Sequence, residues 1–150
     1  MIDRRIAAGA AALALAGLVA PTLPSYPLTL LTQAAIVAIL AMSLDVLLGY
    51  TGLPSLGHAA YFGIAAYAVG ILATETRVGF VGCLLAGVLL ATAAAALFGL
   101  LAIRATGVYF LMITLALGMV VWGLAFRWVS MTKGDNGITG VPRPELGLPW

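Results

Sequence analysis

The stretch "LDVLLGYTGLPSLGHAAYFG", residues 44–63, decides how this chain folds. It breaks an apolar sequence with Asp45, Gly49, Tyr50, Thr51, Gly52, Pro54, Ser55, Gly57 and His58, the last being the chain's only histidine. Around it the composition is that of a protein dissolved in lipid. Of 150 residues, 63% are hydrophobic and 8% charged, and the mean hydropathy is +1.15. Seven Lys or Arg and five Asp or Glu are too few to cover a water-facing surface of this size. A net charge of +2, scattered along the chain, gives no footprint for nucleic acid. Cys83 stands alone in an apolar run, which excludes a disulfide framework and a zinc cluster and leaves it a small packing residue.

Working outward, a membrane-spanning helix needs roughly 20 apolar residues. Five stretches come near that length, residues 6–23, 28–48, 53–73, 78–103 and 107–126. The fold class is therefore all-α, a polytopic integral membrane protein of about five transmembrane helices with one broken or re-entrant segment. Residues 1–150 read as a single membrane-embedded domain, with 127–150 an extramembrane loop rich in glycine and proline. Arg4 and Arg5 before an alanine-rich stretch resemble a secretory signal, but a cut after Ala20 would face Leu18 and Pro21, so the first span reads as uncleaved. Short polar connections carry Glu75, Arg77 and Arg104. In the fourth span Gly87, Ala91, Ala95 and Gly99 are spaced by four and mark one face for close helix approach. Tyr109, Phe110, Trp122, Phe126 and Trp128 bracket the fifth span, as rings at the two interfaces do. Charge does not settle sidedness with five spans, and it prefers a path in which residues 28–73 cross once and the tail lies inside.

The interruption has a functional and a bland reading. A helix from His58 to Ala73 has about 16 residues and reaches about 24 Å, short of a hydrocarbon core of roughly 30 Å. To cross, the span must recruit the polar stretch, with Thr51 as a helix cap and Pro54 in the first turn. Irregular backbone at that depth survives only inside protein or along a wet cavity, which points to a transport pathway. Asp45 near the end of the preceding span supports this, since a carboxylate in hydrocarbon is costly. In the bland reading residues 49–57 are an interfacial loop and His58 a hydrogen-bonded structural residue. Ser55 with His58 also suggests an intramembrane serine hydrolase, although the sequence offers no third group and no G-x-S-x-G setting.

Three motifs in order extend the reading. "LGYTGLPSLGHAAYFGIAAYAVGIL" (48–72), "IRATGVYFLMITLALG" (103–118) and "TKGDNGITGVPRP" (132–144) resemble those of the inner-membrane permease subunits of branched-chain amino acid ABC importers of the LivM type. The resemblance covers the chain from about residue 40 onward. It implies a permease, not an enzyme, that forms the translocation pathway for branched-chain, hydrophobic amino acids in a prokaryotic-type cell membrane. Its implied partners are a sister permease of the LivH type, two cytoplasmic ATP-binding subunits and an extracytoplasmic substrate-binding protein. No cofactor is expected in this chain, which has no G-x-x-x-x-G-K-[ST] loop, so ATP belongs to the partners; no metal is expected either. The resemblance also places Arg104 in a cytoplasmic turn and the "GDNGITG" loop outside, against the charge count, and is followed here. Family members are about twice this length, with an E-A-A-like coupling helix in their second half, so the chain is expected to be an N-terminal fragment. Within the interruption, Asp45, Thr51, Ser55, His58 and Tyr61 are the expected pathway or broken-helix groups, and Gly49, Gly52 and Gly57 permit the backbone path. Related permeases for urea, short amides or other amino acids, a hydrolase and a non-transporting scaffold are the alternatives.

Overall fold

The structure, a computed structural model, describes residues 24–76 and 78–142. The expected first span, 6–23, and the end of the tail lie outside the described residues. Those described are helical with irregular connections: α1 (Ser25–Thr51), α2 (His58–Glu75), α3 (Phe80–Ala102), α4 (Val108–Arg127), a four-residue α5 (Val129–Thr132) and a 3-10 turn (Gly134–Asn136). Three of them, α1, α3 and α4, are long and apolar enough to cross a membrane.

The chain divides at about residue 40, and the packing described below lies within the unit that begins at Leu40. Before Leu40, α1 is a regular helix. Pro27 sits in its first turn, where a missing N–H has no helical partner to lose. Thr29 and Thr32 donate their hydroxyls to the carbonyls four residues back, both at 2.9 Å. The helix ends at Thr51 because Gly52 takes a left-handed conformation, φ +66°, while its N–H bonds the Leu48 carbonyl at 2.9 Å.

The next helix does not begin where the sequence suggests. Residues 53–57 are not helical, and α2 starts at His58. Thr51 therefore closes α1 and caps nothing downstream: its hydroxyl donates to the Leu47 carbonyl at 2.7 Å and accepts the Leu53 N–H at 3.2 Å. With 18 residues, α2 spans about 27 Å, still short of a hydrocarbon core. The expected span 53–73 is thus a broken segment followed by a short helix. Similarly, the stretch after residue 126 is not loop throughout, because α5 and the 3-10 turn fold back on the end of α4. The Thr132 hydroxyl donates to the Ala125 and Trp128 carbonyls, at 2.5 and 2.8 Å, and satisfies groups that a helix end leaves open.

The most intimate pair is the antiparallel hairpin of α2 and α3, and α4 packs against both. Gly87 is what brings the hairpin together: a Cβ there would lie 2.7 Å from Val69 Cγ2 and 3.1 Å from the Ala65 carbonyl oxygen. The row of small residues serves this contact at one end only. Ala91 and Ala95 are half-buried, and Gly99 is exposed with open space around it. Gly87→Leu is accordingly expected to destabilise the protein in detergent or nanodiscs by about 1–3 kcal/mol through overpacking. Gly99→Ala is expected to be neutral or stabilising by up to about 1 kcal/mol from helix propensity. Thermal unfolding of both variants checks the pair, and equal losses would remove Gly87 from its assigned place.

Candidate functional site

The broken segment is seated on α4. Ser55 and Gly57 are buried, where few of the described side chains are. The Leu56 N–H donates to the Thr114 hydroxyl at 3.2 Å, and that hydroxyl donates in turn to the Leu111 carbonyl at 3.0 Å. Thr114 itself is 4% exposed, so it is a fully enclosed polar group with both its hydrogen-bonding roles filled. Gly57 lies directly on the α4 backbone, and a Cβ there would overlap the Thr114 carbonyl oxygen. One turn on, a Cβ at Gly118 would come within 3.3 Å of Gly57 Cα. Two glycines and a threonine therefore form a seat in which backbone meets backbone.

His58, the first residue of α2, joins two other elements. Its Nε2 lies 2.8 Å from Ser43 Oγ on α1. Its ring meets Tyr61 edge-on with centroids 6.0 Å apart, and Tyr61 leans on Phe98 of α3 at 5.9 Å. His58 Nδ1 is enclosed without a hydrogen-bond partner among the described residues. The hydrogen-bond partner of the ring is thus Ser43 and not Ser55, and the serine–histidine pair considered for hydrolysis is not assembled.

The structure gathers the expected residues only in part. His58 and Tyr61 stand together, Thr51 and Gly52 form the turn, Gly57 lies on the α4 seat, and Ser55 is buried two residues before it. Asp45 is exposed, away from His58's partner on the same helix, and makes no hydrogen bond or ion pair with the described residues. Gly49 is exposed with open space around it and serves no close approach. Three contributors escape the sequence reading, namely Ser43, Thr114 and Gly118. Each carries a faint signal. Thr114 and Gly118 are four apart in "TLALG", a small-residue spacing, and Ser43 shares a helical face with Leu40, Leu44 and Leu47.

Beside the seat runs a groove of about 890 Å³ between α2 and α4. Ile64, Tyr67 and Ile71 form one wall, and Leu115, Met119 and Trp122 the other. Leu56 and Gly57 of the broken segment reach into it, and Thr132 and Asp135 also line it. Among the described residues no group of His, Cys, Asp or Glu is arranged to hold a metal ion.

Gly57→Ala is expected to push the segment off α4 and to cost about 1–3 kcal/mol or more, because the obstacle is backbone and has no rotamer to yield. Gly49→Ala, only eight residues earlier, is expected to leave stability unchanged or raised. Melting temperatures of the two variants in the same detergent decide it; a Gly57→Ala protein as stable as the parent would remove the seat.

The family described as branched-chain amino acid transport system / permease component matches residues 26–147. The high-affinity branched-chain amino acid transport system permease protein LivM of Escherichia coli (strain K12) is 36% identical over 115 residues, 77% of this chain and 27% of the relative. Its counterpart in Salmonella typhimurium (strain LT2) is 35% identical over the same coverage. The matched 115 residues cover about a quarter of the length of these relatives, which are nearly three times as long as this chain rather than twice. No solved structure matches. The match takes in the broken segment, its seat on α4 and the folded-back tail together, and the chain belongs to the permease-component family of the branched-chain amino acid transport systems.

Proposed function

We propose that this chain is part of the membrane permease of an ABC importer for branched-chain amino acids, and that residues 52–57 and the adjoining groove line its translocation pathway. The observation that carries the reading is the broken segment itself. Lipid offers no hydrogen bonds, so non-helical backbone between apolar helices belongs either inside protein or beside water. Residues 53–57 satisfy one side of that condition on α4, and Leu56 and Gly57 face the groove on the other. Apolar walls with free backbone groups and a few polar side chains at one end suit a solute with an aliphatic side chain and a charged head.

In this reading α1, α3 and α4 cross the bilayer, the short α2 crosses with the help of the broken segment, and residues 6–23 add a fifth span. Thr51, Ser55, His58 and Tyr61 shape the junction, and Asp45 faces a wet part of the pathway or a neighbouring subunit. Gly52 and Gly57 permit the backbone path; Gly49 keeps the end of α1 slim. The ATPase work falls to two cytoplasmic subunits, delivery to an extracytoplasmic binding protein, and the other half of the pathway to a sister permease. A binding protein that selects the solute allows the permease to hold it weakly, which fits a groove with few polar groups.

Uptake of labelled leucine tests the proposal. The gene encoding this chain, co-expressed with the ATPase, sister-permease and binding-protein subunits of a branched-chain system in cells lacking their own, is expected to restore energy-dependent uptake. Thr114→Val, which removes the hydroxyl that holds Leu56, is expected to lower that uptake severalfold at an unchanged amount of membrane protein. Uptake of urea or short amides in place of leucine would assign the alternative substrate class. Absence of uptake of any of them by a folded, assembled complex would overturn the pathway reading in favour of a scaffold.

A further inference from the structure

The C-terminal half of α1 is fastened lightly among the described residues. No residue of α1 is buried, and from Leu40 on only Leu40, Leu44 and Leu47 are half-buried, a shallow stripe at helical spacing. Ser43 lies on that stripe, and its bond to His58 Nε2 is the one side-chain hydrogen bond linking α1 to another helix among the described residues. At the end of α1 the chain passes through Gly52, left-handed at φ +66°, exposed and with nothing within 4 Å of the position a Cβ would take. Immediately beyond, residues 53–57 are held fast on Thr114 and Gly118. A lightly held rod, a glycine joint and a fixed seat follow one another within eighteen residues.

We propose that the Ser43–His58 hydrogen bond is a latch, and that residues 40–51 swing about Gly52 when it opens, freeing the His58 ring. The chemistry of the ring favours two states. A neutral imidazole has one donor and one acceptor nitrogen, and in the latched state Nε2 is used whichever way the proton lies, while Nδ1 is enclosed and unpaired. An enclosed, unpaired nitrogen raises the energy of the latched state, and opening lets both nitrogens be hydrated. Hydrogen bonds between helices in lipid are weak enough that one such bond shifts a two-state balance by about threefold to tenfold and does not lock it. The hinge is the residue whose conformation no side chain obstructs, and the seat keeps the motion from spreading into α4. The latch is a property of this chain's own packing and stands whether or not the groove carries an amino acid.

Pulsed electron-spin distance measurements on the full chain in nanodiscs test it. Spin labels go on the exposed positions Val46 of α1 and Leu89 of α3, in a Cys83→Ala background. The parent is expected to show a main short distance and a minor longer one. Ser43→Ala is expected to raise the ratio of longer to shorter by about threefold to tenfold. Ser43→Thr, which keeps the hydroxyl, and His58→Gln, which keeps a polar atom near the position of Nε2, are expected to stay near the parent ratio. A single unchanged distance in a folded Ser43→Ala protein overturns the latch. A Ser43→Ala protein that fails to fold overturns it too, since a latch is dispensable to the fold it regulates.

Discussion

The structure depends on a constraint that a soluble protein never meets so sharply: a peptide group leaving a helix inside hydrocarbon has no water to bond. Residues 53–57 leave the helical path between two apolar helices, and the chain answers with a neighbouring backbone and a single hydroxyl. The Thr114 hydroxyl accepts the Leu56 N–H and donates to the Leu111 carbonyl, so that one enclosed polar group is satisfied twice. The absence of a Cβ at Gly57 is what allows the two backbones to come that close. Nearly everything else in the packing follows. Once the segment is seated on α4, α2 must start at His58, and it can reach α3 closely only where Gly87 admits Ala65 and Val69.

Apolar surface has a different meaning in such a molecule. Large side chains lie outward along the long helices, among them Ile39, Leu89, Leu100 and Val120, and the buried apolar residues among those described are the small Ala68, Cys83 and Ala102. In water that distribution would be unstable; in lipid the outward leucines lose nothing, and helix association rests on close packing of small residues and on interhelical hydrogen bonds. Glycines at the contacts and a threonine and a serine at the junctions therefore carry the specificity that a large core carries in soluble folds.

This explains which parts were legible in the sequence. Four apolar stretches declared themselves by length, and their limits shifted by only a few residues at α1, α3 and α4, because hydropathy and proline or glycine punctuation fix them locally. The broken segment was also legible, as a polar interruption too long for one helix turn. Its internal geometry was not. Thr51 reads equally well as the cap of a following helix or the end of a preceding one, and the choice falls to Thr114, sixty-three residues away in sequence. His58 likewise has a serine three residues before it, and the sequence pairs those two; the helix start places Ser43 against the ring instead. The tail "TKGDNGITG" reads as loop because its glycines are loop-formers, and four of its residues, Lys133, Gly134, Gly137 and Gly140, do take positive φ, yet Thr132 ties the start of the stretch back to α4. What sequence leaves open is in each case a tertiary contact, from Thr132 with Ala125, seven residues apart, to Leu56 with Thr114, fifty-eight apart.

The same contrast separates the two sides of the junction. On the α4 side, the Leu56 N–H and the Thr114 hydroxyl are both bonded, the glycines meet backbone, and any enlargement at Gly57 collides with atoms that cannot rotate away. On the α1 side, one hydroxyl meets one ring nitrogen, the other nitrogen has no partner, and the joining glycine stands in open space. A fold in which every contact were as complete as the seat would be rigid, and one in which every contact were as sparse as the Ser43–His58 pair would not hold a broken helix in lipid. The two kinds of contact meet at neighbouring residues, Leu56 and Gly57 on the α4 side and His58 on the α1 side, with Gly52 as the joint between α1 and the seat.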